Sequence, residues 1–129
     1  MRVPVEAKPG DFALTPYERE HSSSRLLSRM PHPEMVDIRE GWFPETAFSL
    51  ENEQYAFVHI DTWLYQSTYS GLQYFFPRLS RDGVILLSGY TDGKTQSVYR
   101  AVSDVEEKYG AFFLMPLCDR EGSLVIVRP

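Results

Sequence analysis

Cysteine is almost missing from this chain. Cys118 is the single one in 129 residues, so no internal disulfide can form and no thiolate cluster can hold zinc. Long apolar runs are missing too. The longest, around 84–87 and 111–115, are strand-length, far short of the roughly 20 residues a helix needs to cross a bilayer. Met1-Arg2 is followed by Val3-Pro4-Val5-Glu6, which is not the apolar core of a signal peptide. Positive charge is scarce: 13 Lys and Arg stand against 18 Asp and Glu, for a net charge of −5. That balance disfavours a nucleic-acid surface, which needs excess cations to displace counterions. No internal repeat is visible. What the chain does have is 43% hydrophobic residues, enough for one core and too many for a disordered tail. The expectation is a single soluble, cytoplasmic domain with no membrane or nucleic-acid partner.

Residues 1–14 hold Pro4, Pro9 and Gly10 without periodicity and read as an irregular lead-in. Thr15-Pro16-Tyr17-Glu18 suits a helix start, with a capping threonine, proline at the first helical position and a glutamate that completes a capping box. That helix is expected to reach Arg29, with Leu26, Leu27 and Met30 inward. Residues 35–39 are a short strand candidate. The apolar run at 55–60 and the shorter one at 84–87 read as strands buried on both faces. Between them, Leu64, Thr68, Leu72, Phe75, Phe76 and Leu79 recur at helical spacing over 64–79, and Arg81-Asp82-Gly83 reads as a turn. Thr95 suits the cap of a further helix, with Val98, Ala101, Val102, Val105 and Tyr109 inward and Gly110 as its stop. Strands at 112–117 and 124–127 are joined by a polar connection, which suits a hairpin. Alternating strands and helices predict an α/β domain with a mostly parallel sheet. The last strand lacks a crossover helix and is expected to be antiparallel.

In an open α/β sheet, ligands bind beyond the C-terminal ends of the strands. Three such ends can be named: Gly41-Trp42-Phe43, Asp61, and Ser88-Gly89-Tyr90. On residue type alone the plain reading weighs more, with Trp42 and Phe43 as packing residues and Asp61 as a helix cap. His59 points away from Val58 and Ile60 by strand alternation. A lone strand histidine is more often a packed, hydrogen-bonded residue than a functional one. His21 and His32 suggest no role, and Cys118 reads as a small filler near a turn.

Several segments in order resemble one family. They are Gly41-Trp42-Phe43-Pro44-Glu45-Thr46, Phe57-Val58-His59-Ile60-Asp61, Leu64-Tyr65-Gln66-Ser67-Thr68, Phe76-Pro77-Arg78-Leu79 and Asp82-Gly83-Val84-Ile85, preceded by Gly10-Asp11-Phe12-Ala13 and Thr15. Together they resemble the C-terminal half of the macrocin O-methyltransferase (TylF-like) family, from about Gly10 onward. The resemblance implies S-adenosylmethionine (SAM) as methyl donor, a sugar or other natural-product hydroxyl as acceptor, and a magnesium-type ion. It implies a partial class I (Rossmann-like) methyltransferase sheet ending in an antiparallel hairpin strand.

The resemblance also marks departures. The family's glycine-rich turn beside SAM, and the acidic strand end for the ribose, have no counterpart before Thr15, so the chain is expected to begin after both. Asp61 matches the family's first metal carboxylate and possible general base. Ser88 and Gly89 stand where it has a pair of aspartates, and Trp63 where another aspartate is common. Gly41, Trp42 and Phe43 are implied to edge the adenine, and Tyr90 to line the acceptor side. The metal site is therefore expected to be incomplete. Two readings follow. The chain is a truncated O-methyltransferase relative, inactive alone, or it is a non-catalytic assembly subunit. A subunit would complete its sheet as a homodimer or with a complementary N-terminal half, because unpaired apolar strand edges invite association. A fully active enzyme is the weakest reading.

Overall fold

The computed structural model describes residues 23–91 and 96–128. The lead-in at 1–14, the helix start at Thr15 and the cap at Thr95 lie outside them. Four strands, β1 (Tyr55–Ile60), β2 (Leu79–Leu87), β3 (Phe113–Pro116) and β4 (Leu124–Val127), form one sheet in the order β1-β2-β4-β3. β1 and β2 are parallel, while β4 is antiparallel to both β2 and β3. The expected antiparallel final strand is present. The expected mostly parallel sheet is not, since one strand pair of three is parallel.

The strand anticipated at 35–39 does not form. Pro33–Met35 is a 3-10 turn, and the residues after it are extended without a sheet partner. Polar contacts to a loop hold this stretch instead. Arg39 Nε donates to Asp37 at 2.7 Å, and its Nη1 donates to the carbonyl oxygens of Thr46 and Phe48.

Two helices cover one face of the sheet. The apolar stripe anticipated over 64–79 becomes α2 (Tyr65–Phe75), and a 3-10 turn (Phe76–Arg78) then brings the chain into β2. α2 comes close to β1 because Gly71 has no side chain. A Cβ there would stand 3.1 Å from Ile60 Cδ1. The later helix (Ser97–Tyr109) buries Val98, Ala101, Val102 and Val105 and stops at Gly110 with φ +90°, as its pattern predicted. Tyr109, expected inward, is exposed. Val98, Val102 and Val105 meet Val58, Ile60, Ile85, Leu87, Leu124 and Ile126 from the sheet in one core. Among the described residues the N-terminal helix, α1 (Ser23–Leu27), buries nothing, and Leu26 and Met30 are exposed rather than inward.

A tyrosine ties the two covering helices together. The Tyr65 hydroxyl donates to the Asp104 carboxylate, and the Arg100 guanidinium lies 5.4 Å over the Tyr65 ring. That hydrogen bond, helped by burial, pushes the hydroxyl pKa from 10.0 up to about 12. The raised value means that the folded chain holds this proton after the unfolded chain has released it. The contribution is therefore complete below pH 10 and fades as pH climbs to about 12. Tyr65→Phe is expected to lower stability by about 1–2 kcal/mol at neutral pH, the scale of a partly solvated hydrogen bond to a charge. Urea midpoints compared at neutral and alkaline pH should show the gap narrowing as pH rises. A constant gap would mean that the hydroxyl contributes without its proton equilibrium, and no gap at all that the ring alone matters.

Among the described residues, nothing covers the opposite face of the sheet. By register, Phe57, Val84, Val127 and Phe113 form one row across it, and His59, Leu86, Val125 and Met115 the next. Phe57 is 59% exposed, Phe113 70% and Met115 50%. The expectation that β1 and β2 are buried on both faces is thus corrected. Apolar residues do occupy both faces, but among the described residues nothing covers the second.

An irregularity lies in β2. Tyr55 pairs with Leu79 and Phe57 with Val84, so two steps along β1 match five along β2. The anticipated Arg81-Asp82-Gly83 turn is real, with Asp82 at φ +60°, but it is an excursion inside a strand that pairs on both sides. Arg128 braces it. Its backbone N–H donates to the Gly83 carbonyl at 3.0 Å, and its guanidinium donates to the Pro77 and Leu79 carbonyls.

Candidate functional site

β1 and β2 end side by side, since Ile60 is paired with Leu87. The ladder runs one step further, where the Ser88 N–H donates to the Ile60 carbonyl at 3.2 Å. β4 starts at this same edge, because Leu124 is opposite Leu87. Three connections therefore converge there: the one from β1 into α2, the one leaving β2, and the β3–β4 loop. The loop is tied in by backbone bonds, Gly89 N–H to the Glu121 carbonyl and Thr91 N–H to the Gly122 carbonyl, each 3.0 Å. The first connection is fixed by a hydroxyl pair, Thr62 Oγ1 to Thr68 Oγ1 at 2.9 Å.

Asp61 sits at this edge, exposed, immediately after β1. Ser88 and Gly89 are beside it in the register and are buried. The Ser88 hydroxyl meets His59 Nε2 at 3.2 Å. His59 is exposed on the open face, as strand alternation places it. It is a hydrogen-bonded residue but not a packed one. The alternation was readable in the sequence, whereas its contact with a residue 29 positions away depends on register.

The anticipated site residues do not all gather there. Tyr90 follows Gly89 but packs on the core, its ring centroid 5.5 Å from that of Tyr99 on the later helix. Burial is the main cause pushing its hydroxyl pKa up, with the neighbouring Tyr99 second. The Gly41-Trp42-Phe43 loop lies at the other end of the sheet. The Phe43 ring is 5.4 Å from both Tyr74 and Phe75, and Phe75 is 5.1 Å from Tyr55, the first residue of β1. Residues 36–40 are not a strand, so their end is not a strand end. The aromatic cluster at the close of α2 draws the loop to the N-terminal end of β1. Gly41 serves that loop, since at φ +146° a Cβ would stand 2.9 Å from Thr46 Cγ2.

Asp119, in the β3–β4 loop, was not anticipated as a structural anchor. Its two carboxylate oxygens accept from the Ser123 N–H at 2.8 Å and the Ser123 hydroxyl at 2.7 Å. Those bonds hold its pKa below the ordinary carboxylate value. The spacing of a carboxylate four residues before a buried serine at a strand start was the available signal.

The donor set at the edge does not suit a magnesium-type ion, which takes near-octahedral oxygen ligands. Among the described residues no three His, Cys, Asp or Glu side chains come together. The anticipated adenine-edging loop is likewise remote from Asp61. Among the described residues no helix is long and apolar enough to cross a membrane.

The described residues form a mixed four-stranded α/β sheet with two helices on one face and polar connections gathered at the strand ends. The solved structure described as the O-methyltransferase NovP is similar over 83% of this chain and 45% of its own, with a TM-score of 0.67 and 22% identity. This chain therefore spans less than half of NovP's length. Two structures of CalS11, a calicheamicin methyltransferase described in one of them as a TDP-rhamnose 3'-O-methyltransferase, are also similar. They have TM-scores of 0.47 and 0.48 and identities of 21% and 20%, over 56% and 57% of this chain and 28% and 31% of theirs. None of the curated proteins compared with the chain matches it significantly. Residues 32–116 match the family described as Macrocin-O-methyltransferase (TylF). The chain belongs to that family.

Proposed function

We propose that this chain is a relative of the SAM-dependent O-methyltransferases that modify natural-product sugars, built as the C-terminal half of a class I (Rossmann-like) sheet, and inactive by itself. The observation that carries this reading is the sheet that superimposes on NovP over 83% of this chain while covering 45% of that one. Methyl transfer needs a nucleophile and a methyl carbon held in line, plus removal of one proton. Asp61, exposed at the strand-end edge, supplies a carboxylate for the proton. Nothing among the described residues supplies the alignment, because the loop expected to edge the adenine is at the far end of the sheet. Calorimetric titration of SAM into the 129-residue chain, with and without magnesium, is expected to show no binding in the micromolar range. Micromolar affinity would remove the inactivity claim.

The open face supports a second reading, an assembly subunit. A parallel strand pair is ordinarily covered by helices on both sides, and here Phe57, Phe113 and Met115 face outward. β1 is also the outermost strand of the sheet. The occupant that fits both features is a complementary N-terminal methyltransferase half, adding a strand beside β1 and helices over the open rows. Light scattering separates this from self-association. A monomer at all concentrations would exclude the homodimer form and leave the complementary half as the occupant.

A further inference from the structure

The strand-end edge is where the resemblance would place a divalent ion, bridging the turn after β1 to the turn after β2. In this chain a side chain makes that bridge. Gly89 has φ +78°, and a Cβ built on it would stand 3.0, 3.2 and 3.3 Å from Cε3, Cζ3 and Cδ2 of Trp63. The indole, from the turn after β1, is therefore pressed against the backbone of the turn after β2. That contact tolerates only glycine, both for its left-handed φ and for the space. Beside it Ser88 is buried, and its hydroxyl is engaged by His59 Nε2. Asp119 spends both carboxylate oxygens on Ser123, and Glu121 meets Gly89 through its backbone carbonyl. Asp61, exposed immediately after β1, makes no such bond among the described residues.

We infer that the Trp63 indole stands in for the ion: it staples the two turns together, and the edge is metal-free. The inference builds on the family reading, which supplies the ion's position. The physical exchange is simple. An ion would join the turns through oxygen ligands on each, at the cost of dehydrating the ion. The indole joins them through dispersion and apolar burial, which need neither carboxylates nor bound water. Any proton removal at this edge then falls to side chains alone.

The test reads ion binding and stability rather than activity. Manganese(II), a spectroscopic stand-in for magnesium, is titrated against the 129-residue chain, and the free-ion signal is followed by electron paramagnetic resonance. The wild-type chain is expected to take up no manganese in the micromolar range, and its thermal midpoint is expected to be the same in excess magnesium and in chelator. Trp63→Phe is expected to keep most of that stability, and Trp63→Ala to lose part of it without recovery on adding magnesium. The double variant W63D/S88D, checked for folding by circular dichroism, places two carboxylates beside Asp61 and is expected to bind manganese at least tenfold more tightly than wild type. Micromolar uptake by wild type, abolished by Asp61→Asn, overturns the inference. If wild type takes up nothing and the folded double variant takes up nothing either, the ion's position was misassigned, and the family reading of this edge falls with the inference.

Discussion

Leu72→Ala is expected to destabilise the chain by roughly 2–5 kcal/mol, the range for removing a large aliphatic side chain from a packed core. Leu72 is fully buried in the middle of α2, in the cluster that includes Ile60, Leu87 and Val102. The cavity cannot close cheaply. α2 is pinned to β1 through the Gly71 contact with Ile60, and to the later helix through Tyr65 and Asp104. Domains of this size have about 5–15 kcal/mol of total stability, so the loss is a large share of the whole. Urea unfolding should show a lower midpoint with an unchanged slope. A loss below about 1 kcal/mol would mean that α2 can settle into the gap and that the helix layer is loosely held.

Gly83→Ala is the second large effect, and its origin is backbone rather than core. A Cβ on Gly83 would stand 2.8 Å from the Ser80 carbonyl oxygen, 3.0 Å from the Tyr55 carbonyl oxygen and 3.2 Å from the Ser80 nitrogen. All three are main-chain atoms, so no side-chain rotation relieves the clash. Either the excursion in β2 opens or β1 moves away at Tyr55. Both responses disturb the pairing that puts Phe57 opposite Val84 and the Arg128 brace on the Gly83 carbonyl. Overpacking of this kind costs about 1–3 kcal/mol, and hydrogen exchange should show the loss concentrated at the start of β1 and β2. A fully neutral alanine would mean that the excursion is not held in its present shape.

Much of the framework was legible because it depends on local pattern. The apolar run at Tyr55–Ile60 became β1, the stripe through Thr68 and Leu72 became α2, and the spacing from Val98 to Val105 became the buried side of the later helix. Local turn chemistry was legible at Gly110 and at Arg81-Asp82-Gly83. What failed depended on partners. Residues 35–39 carry a strand-like alternation yet have no strand to pair with, and Arg39 is spent on loop carbonyls. Leu26 and Met30 are spaced for burial but stay exposed among the described residues. Asp61 and Ser88 are brought to one edge because β1 and β2 are parallel and in register. Phe43 is taken to the opposite edge by rings contributed from α2 and β1.

The order of residues determined which segments become helix and strand, the family to which the chain belongs, and the carboxylate that survives at position 61. These are properties of spacing and side-chain type, readable one segment at a time. Only the tertiary structure decided that one face of the sheet is uncovered among the described residues, that the Gly41-Trp42-Phe43 loop is remote from Asp61, and that Trp63 lies against Gly89. Each of those is a contact between residues distant in the chain, set by strand register and by which surfaces find something to pack against.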